Sequence, residues 1–190
     1  MGLLDVVFGR RKMKAPAPDR LFAMATAQIT LTEQMGLKPR GEAAIVFQPL
    51  ATADFQSIVR EMEEVVTGTS SDSGTRLESR DDEFGFRWMV LRDDDFEDIV
   101  VGINAVSGAL VAGGYGERIL AAVFAFERAG GGAVYWIYNY KRGTFYPFVP
   151  APGDKQRNNE REFQLKAQLG AELPIEPELQ RWFPLWEIPL

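Results

Sequence analysis

The sequence predicts an α+β domain, with a mainly antiparallel sheet and helices packed on one face or at its ends. Three observations carry this prediction. Apolar residues recur at helical spacing in two windows: Phe55, Ile58, Val59, Met62, Val65 and Val66, then Phe96, Ile99, Val100, Ile103, Val106 and Leu110. Each window supplies the single apolar face of a packed helix. Elsewhere the pattern alternates, with turn signals between consecutive runs, as antiparallel hairpins require. The order is therefore helix, two strands, helix, three strands, helix, and not the regular strand–helix repeat of a parallel sheet.

Taken in order, Asp19 is an N-cap candidate for a short helix through Ala25. Thr30 and Glu33 have capping-box spacing for another helix ending at Gly36. Residues 43–48 read as a short apolar strand. The helix containing Phe55 ends at Gly68, and 67–74 (TGTSSDSG) has loop composition without an apolar anchor, so it is expected to be mobile or variable. Strands at 75–80 and 84–91 follow, the second alternating Phe84, Phe86, Trp88 and Val90 with Gly85, Arg87 and Met89. The next helix starts near Asp94 or Asp95 and stops at Gly113-Gly114. Residues 117–128 are apolar on both faces, as in a central strand. After Gly130-Gly131-Gly132, Val134, Trp136, Tyr138 and Tyr140 alternate with Tyr135, Ile137 and Asn139. Arg142-Gly143 makes a tight hairpin, and Pro147 marks the returning strand as an edge. A helix over 155–169 precedes Pro174, Pro177 and Trp182-Phe183-Pro184-Leu185-Trp186. Such an aromatic end seeks burial, either as a strap on its own domain or against a partner.

A chain of 190 residues suits one domain on the prior of about 100 to 200 residues each. The organisation expected is an amphipathic basic segment and linker over 1–18, one α+β domain over 19–173 and an aromatic, Pro-rich strap over 174–190. With 46% hydrophobic and 25% charged residues, a core is supported and wholesale disorder is not. The chain has no cysteine and no histidine. This removes disulfides, thiol nucleophiles, thiolate zinc sites and imidazole bases or ligands. Carboxylate, lysine, tyrosine or serine chemistry survives, as does oxygen-ligated magnesium or calcium.

A net charge of -6 argues against nucleic acid as a partner, because phosphate binding needs a basic face. The charge is uneven. Residues 1–20 set Arg10, Arg11, Lys12, Lys14 and Arg20 against Asp5 and Asp19, whereas 71–98 sets ten acids against four arginines. The opening MGLLDVVFGRRKMK places apolar residues before basic ones, the reverse of a secretory signal. The apolar run is far shorter than the ~20 residues of a membrane span, so a cytoplasmic location is expected, with peripheral contact at the inner face of the membrane. Leu3, Leu4, Val7 and Phe8 with Arg10, Arg11 and Lys12 are the membrane-contact candidates. The alternative is that this segment docks on the protein's own core or on an oligomeric neighbour.

Two stretches invite a chemical reading. Residues 93–98, DDDFED, offer carboxylates, with Asp94, Asp95 and Asp98 as oxygen donors for a metal-dependent hydrolase. Helix capping explains the same run, and the spacing is not that of an EF-hand. The second stretch, YWIYNYKRGTFYPF at 135–148, reads as cross-strand packing or as an exposed protein-binding face. Its partner-binding candidates, with one from the tail, are Tyr135, Tyr138, Tyr140, Lys141, Arg142 and Trp186. A small-molecule sensor with a pocket between this meander and a helix is a third class. No catalytic residue, metal ligand or cofactor is assigned.

Four segments together, YWIYNYKRGTFYPFVP, GFRWMVLRDDDFEDIVVGINAVSGAL, the opening GLLDVVFGRRK and the closing ELPIEPELQRWFPLWEIPL, resemble the PspA-associated family labelled PspAB. The resemblance runs nearly end to end. It implies a cytoplasmic protein of a phage-shock, membrane-stress response and leaves the biochemical act open; the function expected is that of a non-enzymatic accessory or adaptor acting by protein–protein binding. It also implies a PspA-like coiled-coil protein and an HtpX-type membrane protease as partners. The element order is similar to the type III secretion chaperone-like or YbjN-like fold, which suits a homodimeric protein-binding module.

Overall fold

A computed structural model describes residues 20–190, with the backbone alone over 67–73. The elements are α1 (Ala23–Glu33), β1 (Leu37–Phe47), α2 (Ala53–Ser73), β2 (Arg76–Asp81), β3 (Arg87–Arg92), α3 (Phe96–Ala112), β4 (Ile119–Arg128), β5 (Ala133–Asn139) and β6 (Thr144–Phe148). A small hairpin of β7 (Pro150–Ala151) and β8 (Gln156–Arg157) and helix α4 (Asn159–Leu169) follow. Six strands form one sheet in the order β2-β3-β1-β4-β5-β6, every neighbouring pair antiparallel. The α+β class is therefore observed, with β1 and β4 at the centre.

Strand parity divides the core in two. Ile45 and Phe47, Met89 and Leu91, Phe124 and Phe126, and Trp136 and Tyr138 face one side, where Met24, Leu31, Phe55, Met62, Ile103 and Leu110 of the helices cover them. Ala44, Val46, Trp88, Val123, Ala125 and Ile137 face the other side. There the cover is the C-terminal segment, through Trp182, Leu185, Trp186, Ile188 and Leu190. Both faces are apolar along β4 because both are buried.

Several boundaries differ from the sequence reading. The two short helices expected around 19–36 are one helix, α1, with Thr30 inside it; Gly36 (φ 63°) ends it. Asp19 lies outside the described residues. β1 begins at Leu37, six residues before the expected start, because its pairing with β4 shifts between Pro39 and Ala43 and the strand continues through the irregularity. Gly41 (φ 71°) permits this: a Cβ there would sit 2.9 Å from the Asp93 carbonyl oxygen. α2 does not stop at Gly68 but runs to Ser73, so 67–73 is helical and not a loop. One interior glycine costs a helix about 1 kcal/mol and does not end it; the turn comes at Gly74 (φ 87°). The last helix starts at Asn159 and not near 155, because 150–157 forms the β7–β8 hairpin. Asn158 caps it by accepting the Arg161 N–H.

β2 is one sheet edge, exposed and charged, a pattern that resists pairing with another chain. β6 is the other edge. Here the C-terminal segment adds itself through a parallel bridge of Phe145 with Ile175: Phe145 N–H donates to the Pro174 carbonyl and Glu176 N–H to the Phe145 carbonyl, both at 2.8 Å.

Candidate functional site

The expected site residues separate by depth. Tyr138 and Tyr140 are core residues, packed edge to face at 5.0 Å in the helix-side cluster, so they present no surface to a partner. They follow Trp136 in strand parity, which turns them toward the helices. Tyr135 is buried on the opposite face and stacks on Phe148, ring centroids 6.2 Å apart. Its hydroxyl pKa is raised, chiefly by burial. These three tyrosines belong to packing and not to an exposed face.

Arg142 holds the tail. Its Nε and Nη2 donate to Glu176 at 2.8 and 3.1 Å, and Nη2 reaches Glu178 at 3.3 Å. Thr144 and the Glu178 N–H also donate to the Glu176 carboxylate. Burial pushes that carboxyl up, but the hydrogen bonds, led by Arg142, bring it below the ordinary carboxylate range. A second clamp is Arg157, which donates to the Trp182 carbonyl at 2.8 Å, pairs with buried Glu162 and lies over the Phe148 ring. Glu162 also accepts the Val149 N–H; burial dominates and leaves its pKa raised. Trp182 Nε1 donates to the Glu176 carbonyl and the Tyr146 hydroxyl to the Phe183 carbonyl, each at 3.0 Å.

Past Phe183 the tail covers the sheet less closely, leaving Val46, Trp88, Ala121 and Tyr146 with 4 to 8% exposure, and a cleft of about 420 Å³ opens. Its floor includes Val46, Trp88, Ala121 and Tyr146; its walls are Phe84 and Phe86 of the β2–β3 turn and Phe183, Leu185 and Trp186 of the tail. Lys141 and Lys155 line it together with Glu83 and Glu187. Two expected residues, Lys141 and Trp186, are thus brought together. Phe84 and Phe183 remain 73% and 59% exposed, which is unusual for rings with buried rings beside them.

The β2–β3 turn is fixed by Asp82. Its carboxylate accepts the N–H groups of Phe84 and Phe86 and the Trp88 indole N–H, all at 2.9 Å. Two lining residues, Lys155 (φ 48°) and Glu187 (φ 63°), adopt left-handed backbone, costing of order 1 kcal/mol each. Asn139 contributes Oδ1, buried and without a protein hydrogen-bond partner, to the same lining. Aromatic walls, two ammonium groups and a free acceptor suit an apolar segment carrying a carboxylate and a donor. The sequence reading missed Phe84, Phe86, Phe183 and Lys155 as site residues; it set Phe84 and Phe86 in a strand over 84–91, whereas β3 begins at Arg87 and both rings belong to the turn that Asp82 fixes.

The acidic run is used locally. Asp93 accepts Thr75 Oγ1 and the Asp95 N–H, and Asp95 caps α3 by accepting the Glu97 N–H at 2.8 Å. Carboxylates here complement the helix dipole. Glu78 pairs with Arg80 and Arg92, and Asp81 with Arg87, so these two acids of the stretch are matched within it. Among the described residues no group of three or more acidic side chains is placed to hold a metal ion. Nor, among them, is any helix long and apolar enough to cross a membrane. Leu3, Leu4, Val7, Phe8, Arg10, Arg11 and Lys12 lie outside the described residues.

An antiparallel sheet closed by helices on one side, and incompletely by its own C-terminal segment on the other, defines an α+β protein with an aromatic cleft. The family model PspAB, PspA associated protein B, matches residues 1–190, and the chain belongs to that family. No curated protein and no solved structure matches it. The expected chaperone-like or YbjN-like likeness thus gains no support.

Proposed function

We propose that this chain is a non-enzymatic accessory protein of a PspA-linked membrane-stress response and that it holds a segment of a PspA-like partner in the aromatic cleft. The family description supplies the association with PspA. The observation that carries the choice of surface is the convergence of Lys141 and Trp186 with exposed Phe84 and Phe183. Aromatic anchors in a concave site, flanked by charge, are where binding energy concentrates. Strained backbone at Lys155 and Glu187 agrees with this reading, since such residues persist where the surroundings hold them for a purpose. The cleft carries no argument for the HtpX-type protease or for a homodimer.

The test is calorimetric titration of the full chain with its cognate PspA-like protein, comparing wild type with Phe84→Asp/Lys141→Glu. Both residues are exposed, so the variant should fold normally. Saturable binding weakened at least about tenfold, or about 1.4 kcal/mol, is expected. Unchanged affinity would remove the cleft from the interface. The sensor reading shares this cleft, whose volume falls in the small-ligand range of about 300 to 1,000 Å³; a bound metabolite recovered with the protein would favour it.

A further inference from the structure

Past the cleft the tail is held to the sheet by apolar contact. Among the described residues, 184–190 make no hydrogen bond and no ion pair with the rest of the protein, whereas 174–183 are tied down at Pro174, Glu176, Trp182 and Phe183. Pro184 and Pro189 have no N–H to offer. Trp186 is fixed by its edge contact with Phe148, ring centroids 5.0 Å apart. Beyond it the chain turns at Glu187 (φ 63°), and Ile188 and Leu190 rest half-buried on the sheet, outside the cleft lining.

Strand register shows what this end of the tail covers. One row across the sheet, Trp88–Val46–Ala121–Asn139, lines the cleft. The next row on the same face is Val90–Ala44–Val123–Ile137, two residues or about 7 Å further along each strand. All four of its side chains are fully buried, whereas Val46, Trp88 and Ala121 keep a little exposure. The cover on this face is the C-terminal segment. The second row therefore extends the cleft floor as an aliphatic track across four strands, hidden by the tail.

We propose that residues 188–190 are a displaceable cover hinged at Glu187, and that the partner segment held in the cleft continues along the Val90–Ala44–Val123–Ile137 row in their place. This inference rests on the cleft reading and adds the chemistry of the partner: an extended segment whose aliphatic side chains follow the part anchored among the aromatic rings. Releasing Ile188 and Leu190 breaks no hydrogen bond, which places the opening among the low-stability local motions of a folded domain. A segment already anchored in the cleft competes for the row at an effective concentration of the order of 1 mM. Its apparent affinity is reduced in proportion to the fraction of chains whose row is open, so a substitution that opens the row strengthens binding.

The test uses the full chain and its Ile188→Ser/Leu190→Ser variant, which alters no cleft-lining residue and no helix or strand. Without a partner, a soluble gadolinium chelate should relax the methyl protons of Val90 and Val123 several-fold faster in the variant than in wild type, at unchanged far-ultraviolet circular dichroism. Equal relaxation would show that 188–190 do not cover the row and would overturn the inference. The variant should also bind the cognate PspA-like protein about tenfold more tightly. In the wild-type complex the Ile188 and Leu190 methyl resonances should move to random-coil positions while Val90 and Val123 stay shielded. Unmoved Ile188 and Leu190 resonances at saturation, or unchanged or weaker binding by the variant, would overturn the inference even with the cleft occupied. An exposed row in the variant with no binding by either chain would support the hinged cover and remove the PspA-like protein as its occupant. A wild-type dimer that the variant abolishes would contradict the inference in favour of a tail exchanged between two copies.

Discussion

On the helix-covered side the sheet presents Ile45, Phe47, Phe124, Phe126 and Trp136, each fully buried. The opposite side is floored in part by Ala44, Ala121 and Ala125 and covered by a segment whose one regular element is a short helical turn at Leu179–Arg181. The difference follows from backbone chemistry. A helix satisfies its own N–H and C=O groups, so it can cover a sheet wherever apolar side chains fit. An extended strap must find a partner for each polar group it buries. Here those partners are Phe145 at the sheet edge, Arg157, the Tyr146 hydroxyl and the Trp182 indole. They end at Phe183, and the cleft begins there. Incomplete cover on one face is thus what gives the molecule a concave, aromatic surface.

This contrast makes graded predictions. Phe124→Ala, on the helix side, should cost about 3 to 5 kcal/mol and destabilise the domain as one cooperative unit; a loss below about 1 kcal/mol in urea unfolding would deny that this face is the principal core. Trp182→Ala should cost less, about 1.5 to 3 kcal/mol, because the strap can detach locally before the domain unfolds. Hydrogen exchange should then rise in 174–190 with little change in β1 and β4. Arg157→Ala leaves Glu162 buried without its cation and should cost about 1.5 to 3 kcal/mol. Arg157→Lys should restore only part of this, since a single ammonium cannot serve both the carboxylate and the Trp182 carbonyl in one geometry.

The smallest effect is a pH dependence. The Glu176 carboxyl is held below its ordinary range in the folded state. Its contribution is therefore fully present above the unfolded pKa and lost as pH falls through the lower folded value. Glu162, raised chiefly by burial, has the opposite sign: acid relieves a burial penalty there. Trp182 fluorescence should accordingly report loosening of the strap in acid, and Glu176→Gln should flatten that acid limb. An unchanged profile in the variant would assign the transition to another group.

Much of the fold was legible because it rests on local periodicity. The apolar spacing of 96–110 specified α3, its acidic N-cap and its glycine end, and Pro147 marked β6 as an edge. Gly68 misled, since glycine permits a break without requiring one: it lies within a helix. Alternation correctly placed Tyr135 and Tyr138 on opposite faces, but it carries no information about whether each face is covered. The cleft was hardest to foresee. Phe84 and Lys141 belong to two turns and Phe183 to the strap, far apart in the chain, and only the sheet order and the path of the strap bring them together.

The central claim is that a partner uses the strap-covered face. The most direct test is amide NMR of the full chain titrated with its cognate PspA-like protein. Saturating shifts at 84–88, 141, 155 and 183–187, with the exposed positions of α1 and α3 unmoved, are predicted. Shifts confined to the helix layer, with the cleft silent, would contradict it.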